Sequence, residues 1–181
     1  GAVSGNTVAA TASYGISVEM GSSSRAELTV AENEVHDAVQ RGISLLASNT
    51  YAVRSLLVAK DNRVWASGVG IYYYGSNSEL EVEVSGNDLS GGTAGIYGQH
   101  DSGSNSYPYA LTARVLGNWV HDTGGVGIEG YASYYSRFYA EVRGNRVEGN
   151  AGIGIYQHYV SGYAQHDAVL TLNRVLSNKS Q

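Results

Sequence analysis

The chain has no cysteine and only one proline, one methionine and one phenylalanine among its 181 residues. Without thiols there can be no disulfides, no thiolate metal sites and no cysteine nucleophile. Lysine is scarce too, with Lys60 and Lys179 standing against nine arginines. The formal net charge of -5 gives nucleic acid or an anionic membrane surface no electrostatic claim as a partner. No apolar run approaches the roughly 18 residues of a membrane helix, and the N-terminus lacks a basic stretch followed by an apolar one. What is abundant is glycine, with 24 copies, and tyrosine, with 15. Such a composition is poor in helix formers and suits a turn-rich β protein. The length fits a single domain over residues 1–181 that can bury a continuous core.

An internal repeat decides the fold. Asn6, Asn33, Asn62, Asn87, Asn118, Asn145 and Asn173 recur about every 28 residues, the spacing of a solenoid. Two positions after each stands an aliphatic residue: Val8, Val35, Val64, Leu89, Val120, Val147 and Val175. Three positions before each stand Val3, Val30, Ala59, Val84, Val115, Val142 and Leu170. Eight or nine positions after each of the first six comes Gly-Ile, at Gly15, Gly42, Gly70, Gly95, Gly127 and Gly154. Alternation around a fixed point describes strands with one buried face. The expected architecture is all-β, a parallel solenoid of about six rungs. In such a coil the recurrent Asn turns inward at a bend, where its amide hydrogen-bonds the Asn above and below and sets the register. The Gly before Ile either supplies positive φ or lets a neighbouring coil approach closely.

Charges support in-register stacking. One position after the Asn, successive rungs carry Glu34, Arg63 and Asp88; four before it they carry Glu83, Arg114 and Glu141. Neighbouring rungs of a parallel coil lie about 4.8 Å apart, where like charges would repel, and the alternating signs predict outward salt-bridge ladders.

The pattern, as in LTVAENEV followed by GISLL, VEVSGNDL followed by GIYGQ and AEVRGNRV followed by GIGIY, resembles the degenerate repeat of right-handed parallel β-helix proteins, the superfamily that includes pectate and pectin lyases. The resemblance covers essentially the whole chain. It implies the fold and leaves function open among polysaccharide lyases, glycoside hydrolases, alginate epimerases, phage tailspikes and adhesive surface proteins. A leucine-rich-repeat-like solenoid is the rival, since Leu28-x-Val30-x-x-Asn33-x-Val35 fits its strand core. Glycine- and aromatic-rich segments such as SGGTAGIYGQH stand against the helix that fold needs.

The residue after each Ile is expected to face solvent, which places Ser17, Ser44, Tyr72, Tyr97, Glu129 and Tyr156 in one column. Two residues further on, Glu19, Leu46, Tyr74, Gln99, Tyr131 and His158 form another. Flat aromatic rings interspersed with polar groups can stack on the CH faces of sugars and satisfy their hydroxyls. The candidate carbohydrate-binding residues are therefore Tyr72, Tyr74, Tyr97, Gln99, Glu129, Tyr131, Tyr156 and His158. Stacked aromatics also stabilise adjacent strands by themselves. The segment from Ile96 to Ala113, with Gln99-His100-Asp101 and Pro108 between Tyr107 and Tyr109, reads as the longest connection, bordering this face.

Other candidates are weaker. Val35-His36-Asp37 and Val120-His121-Asp122 occupy equivalent positions on rungs three apart, roughly 14 Å from each other, too far to share an ion, and read as solvated turns. Glu79, Glu81 and Glu83 alternate along one strand as a solvated acidic stripe. The lyases that the repeat resembles use a basic residue and acid-held calcium, yet no group of Asp converges here. Hydrolases on this fold use carboxylates about 5 to 9 Å apart, and Glu129 has no partner in the alignment. Epimerases carry Asp-Pro-His, whereas the single proline here follows Tyr107. No catalytic residue, metal or cofactor is assigned. The chain begins and ends in strands without caps, as expected of a fragment of a longer solenoid or of ends that stack on other chains. Together these readings describe a non-catalytic extracellular or cell-surface module whose partner is polysaccharide. The alternatives are a structural protein self-assembling head to tail, and a fragment of a polysaccharide lyase, hydrolase or epimerase.

Overall fold

The computed structural model describes residues 1–21, 25–49, 54–103, 109–159 and 163–179, and among these every regular element is a strand. The chain winds rung by rung. β1 (Ala2–Ser4), β2 (Thr7–Ala9) and β3 (Tyr14–Gly21) make the first turn, and β4 (Glu27–Ala31), β5 (Glu34–His36) and β6 (Arg41–Ser48) the second. β7 (Ser55–Lys60), β8 (Arg63–Trp65) and β9 (Val69–Ser76) follow, then β10 (Leu80–Ser85), β11 (Asp88–Ser90) and β12 (Ala94–Ser102). The fifth turn holds β13 (Ala110–Leu116), β14 (Trp119–His121) and β15 (Ile128–Tyr134), and the sixth β16 (Arg137–Arg143), β17 (Arg146–Glu148) and β18 (Ile155–Tyr159). β19 (Gln165–Thr171) and β20 (Arg174–Leu176) open a seventh. Corresponding strands pair in parallel into three sheets: A from β1 to β19, B from β2 to β20, and C from β3 to β18. This is the solenoid of about six rungs that the repeat predicts. The leucine-rich-repeat alternative fails because the segment it would fold as helix in each repeat is a strand of sheet C.

The seven asparagines stand in one vertical file at the bend between sheets A and B. From Asn6 to Asn145, each Nδ2 donates to the Oδ1 of the next at 2.9–3.0 Å, and each backbone N–H donates to that same oxygen. The second Nδ2 proton reaches back to a sheet A carbonyl of the rung below, as from Asn62 to Val30 and from Asn118 to Val84, both at 2.9 Å. A buried amide thus finds partners for both donors and its acceptor, the condition under which burying it costs little.

Two left-handed corners bound the short strands of sheet B. The residue before every ladder Asn, from Gly5 through Glu32 and Asp61 to Leu172, has φ between 53° and 67°. The fourth residue after it, from Ala10 through Asp37 and Asp122 to Ser177, has φ between 50° and 66°. Non-glycine residues pay about 1 kcal/mol or more for this conformation. The corner N–H groups still extend the ladders, as from Asp61 to Ser85 and from Asp122 to Glu148. The second corner has a shorter amide file of its own: the Thr123 N–H donates to Asn150 Oδ1, and Asn150 donates through N–H and Nδ2 to Asn178 Oδ1. The Asn178 amide is therefore committed inside the fold.

Inward residues form the files expected, with Val30, Val84 and Val142 from sheet A, Val35, Leu89 and Val147 from sheet B, and Ile43, Ile71, Ile96 and Ile128 from sheet C buried in one core. The Gly before each Ile serves close approach, not positive φ. A Cβ on Gly95 would lie 2.2 Å from Val120 Cγ1 and 2.6 Å from the Gly127 carbonyl oxygen, and the other five copies are equally pressed by the next rung. Large side chains are matched by small ones along the axis. The Tyr73 ring lies over Gly98, and Tyr73 meets Phe138 edge-on at 6.3 Å. His100, read above as part of a connection, points into the core beside Gly75, with Nε2 3.2 Å from the Ser78 carbonyl oxygen. Burial pulls its pKa down to about 4, so it is neutral at pH 7.

Two expectations need correction. The expected connection is largely strand, since β12 runs through Ser102 and β13 begins at Ala110, while residues 104–108, including Tyr107 and Pro108, lie outside the described residues. The charged columns align as expected, Glu34 and Asp88 flanking Arg63, and Glu83 and Glu141 flanking Arg114. Yet none of these pairs makes an ion pair among the described residues. Arg63 lies over the Trp65 ring, Glu83 accepts the Ser85 hydroxyl, and Glu141 pairs with Arg143 on its own strand. Exposed side chains have little to gain from fixing one ion-pair geometry.

Replacing Asn118 by Ala removes the acceptor of the Asn87 N–H and of one Asn87 Nδ2 proton, and the donors that reach the Val84 carbonyl and, beside the retained backbone N–H, Asn145 Oδ1. At roughly 1–3 kcal/mol for each unsatisfied group, a loss of about 3 kcal/mol or more in urea unfolding is expected. Asn6→Ala, at the exposed start of the file, should cost about 1 kcal/mol or less. Equal effects of the two substitutions would contradict the ladder.

Candidate functional site

The outer face of sheet C carries all eight residues singled out from the sequence. Parallel register places Ser17, Ser44, Tyr72, Tyr97, Glu129 and Tyr156 in one column, and Glu19, Leu46, Tyr74, Gln99, Tyr131 and His158 in the next. Period-two alternation along each strand sends these residues out while Ile71, Tyr73, Ile96 and Ile128 turn in.

Two linked clusters emerge. In the first, the Tyr72 hydroxyl donates to Gln99 Oε1 at 3.3 Å, Gln99 Nε2 donates to Asp101 Oδ2 at 3.0 Å, and the Tyr74 hydroxyl donates to the same oxygen at 3.1 Å. Ser133 Oγ donates to the other oxygen of Asp101. In the second, His158 Nε2 sits 2.9 Å from Glu129 Oε1, the His158 ring stacks on Tyr156 at 4.2 Å, and Tyr131 meets it edge-on at 5.2 Å. Neighbouring register joins the clusters, Tyr97 beside Glu129 and Gln99 beside Tyr131.

The structure revises the expected exposure of this face. Tyr72 is only 8% exposed and Ser44 is fully buried, although both follow an Ile. Arg41 explains both. Its guanidinium lies 3.6 Å from the centre of the Tyr72 ring, and its Nη1 donates to Ser44 Oγ. On its other flank Tyr72 stacks against Tyr97, with centroids 5.7 Å apart and planes 9° from parallel. Ring faces are thus largely spent on one another, and what remains outward is a row of ring edges, hydroxyls, carboxylates and an amide, with Tyr156 exposed at the end. Burial pushes the Tyr72 phenol up to about 12, partly offset by Arg41, and it also raises Tyr74 and Tyr97. Glu129 and Asp101 add to the rise at Tyr97. These phenols are neutral donors at physiological pH.

Asp101, Ser133 and Arg41 were missed as members of this face. Asp101 lies five residues after Ile96, where the alternation through Tyr97 and Gln99 already points outward. Assigning Gln99-His100-Asp101 to a connection concealed it. Arg41 shares the sequence parity of inward Ile43, yet its guanidinium lies on the Tyr72 ring.

The other candidates settle as structure. Asp37 and Asp122 are left-handed corner residues whose carboxylates lie 2.7 and 2.8 Å from Nδ1 of the preceding His36 and His121. The two histidines stack on Trp65 and Trp119, at 4.6 and 4.1 Å, on sheet B. Glu79 accepts the Ala110 N–H, and Glu81 pairs with Arg54. Among the described residues no three His, Asp or Glu side chains converge to hold a metal ion, and no helix is long and apolar enough to cross a membrane.

A family model described as "Right handed beta helix region" matches residues 1–89. The match is consistent with the resemblance to the pectate and pectin lyase superfamily. No curated protein and no solved structure matches the chain.

The packing around Tyr72 makes a prediction at alkaline pH. Its folded pKa of about 12 exceeds the ordinary value of 10.0, so the native state holds the proton more tightly than the unfolded chain. The stability this supplies is complete below about pH 10 and is lost as pH climbs from about 10 to 12. Phenolate absorbance of the native protein should show a late step that Tyr72→Phe removes. A titration in which Tyr72→Phe removes only an ordinary tyrosine step would contradict the packing.

Proposed function

Since the chain is a right-handed parallel β-helix repeat protein, whose fold hosts many activities, function must be argued from its surface, and we propose that the outer face of sheet C binds polysaccharide. The observation that carries this reading is the continuity of the two columns. Tyr72, Tyr97, Glu129 and Tyr156 run beside Tyr74, Gln99, Tyr131 and His158 over four successive rungs without an aliphatic interruption of the file. A polysaccharide is itself a one-dimensional repeat of hydroxyls and CH faces. A straight row of phenol hydroxyls, amide and carboxylates repeating about every 4.8 Å offers it matched donors and acceptors at successive sugars. Rings already fixed by stacking and hydrogen bonds lose little freedom on binding.

The reading is of a binding module outside the cell or at its surface, where polysaccharides are met. Catalysis draws no support from the site. The acids of the two linked clusters, Asp101 and Glu129, are each engaged in hydrogen bonds of their own, with Tyr74, Gln99 and Ser133 around one and His158 beside the other.

Affinity gel electrophoresis through a panel of soluble polysaccharides tests the proposal. Retardation by at least one polymer is expected, and Tyr97→Ala combined with Tyr156→Ala should abolish it while leaving the thermal melting profile cooperative. Both rings lie on the outer face, so the fold tolerates their loss better than that of Tyr72. Unretarded migration in every polymer, or retardation unchanged in the double variant, would remove the reading.

A further inference from the structure

We propose that the glycan held by sheet C is a neutral polysaccharide, and that Glu129 and Asp101 are the residues that select it against uronic-acid polymers. The inference rests on the reading of this face as a glycan-binding surface and concerns the charge of what it accepts.

Acidic groups dominate the strip. Glu129 lies in the centre of the first column, Asp101 flanks the second, and Glu19 is exposed on the first rung. The arginine among the outward residues of sheet C is Arg41, and it is not free to meet a carboxylate. Its guanidinium lies on the Tyr72 ring at 3.6 Å, within 5.3 Å of Tyr14, and donates to Ser44. It also stands three rungs from Glu129, roughly 14 Å along the axis. His158, the nearest other cationic candidate, is turned to Glu129 at 2.9 Å.

A polyuronate laid along the columns would bring a carboxylate past each rung, within about one Debye length of both acids, while Arg41 and His158, the basic side chains described on this face, are already engaged with Tyr72, Ser44 and Glu129. A neutral chain meets the same acids as acceptors. Glu129 uses Oε1 toward His158, and its Oε2 accepts no hydrogen bond among the described residues, which leaves it open to sugar hydroxyls. Asp101, with three donors already on it, holds Tyr74 and Gln99 in place beside that position. Burial is the main cause of the raised Tyr97 phenol pKa, and Glu129 and Asp101 add to it.

The test compares neutral polymers (mixed-linkage glucan, xylan, galactomannan) with polygalacturonate and alginate in affinity gels at low salt, for the wild type, Glu129→Gln and the Glu129→Gln/Asp101→Asn double variant. Wild-type protein should be retarded by a neutral polymer and not by either uronate. Glu129→Gln should weaken neutral binding about tenfold through loss of a charge-assisted hydrogen bond. The double variant should gain retention by a uronate, a readout that mere unfolding cannot produce. Wild-type retention by uronates, equal to or above that by neutral polymers, would overturn the selectivity while sparing the glycan-binding reading. Absence of retention by all five polymers would overturn both.

Discussion

The hydrogen bond from one asparagine to the next is the interaction on which this structure depends. A parallel coil has no hairpins to fix its register, and a slip of one residue would turn every core side chain outward. The amide of each ladder Asn prevents that slip, because its donors and acceptor are satisfied at a single alignment of three successive rungs. In the interior the alternative is an unpaired amide, far costlier than any exposed ion pair gains. Once the file at Asn33, Asn62, Asn87, Asn118 and Asn145 is set, strand alternation carries the alignment round to sheets A and C. The aromatic columns are a consequence of that register, formed at the opposite side of the coil from the residues that determine it.

Backbone geometry does the rest. Left-handed corners on either side of each sheet B strand turn the chain within very few residues, and glycine fills many but not all of them. Where Glu32 or Asp61 takes the corner instead, local strain is offset by the ladder bonds that the corner itself donates. The core follows the same economy. Gly98 makes room for Tyr73, Gly75 for His100, and the Gly-Ile glycines let the valines of sheet B press against sheet C. The outward strip shares this rigidity, being stacked, hydrogen-bonded and backed by a packed apolar core.

The fold was legible because its determinants repeat. Asn, the aliphatic residue two positions later and Gly-Ile recur in every full rung, and period-two alternation then assigns inward and outward residues without reference to tertiary structure. The same rule placed all eight candidate residues on one face. It failed where a side chain does something other than point outward. Tyr72 and Ser44 are covered because Arg41 bends back over them, an outcome set by a cation–π contact that sequence parity cannot express. Asp101 was hidden by treating a glycine- and serine-rich stretch as connection from its start, although the strand persists through Ser102. The charged columns were placed correctly and paired incorrectly, because alignment of Cα atoms does not oblige long exposed side chains to meet. The second amide file, Thr123 to Asn150 to Asn178, spans too few rungs to stand out as a repeat.

These relations make the surface chemistry contingent on vertical neighbours that are nearly thirty residues apart in sequence. Nuclear magnetic resonance of the uniformly labelled protein tests that dependence most directly, through the side-chain amides of the ladder. The account predicts that the amide protons of Asn33, Asn62, Asn87, Asn118 and Asn145 exchange slowly with solvent, with cross-peaks linking each to the next in the file. Exchange at the rate of free asparagine amides, or cross-peaks joining these residues in any other order, would contradict it.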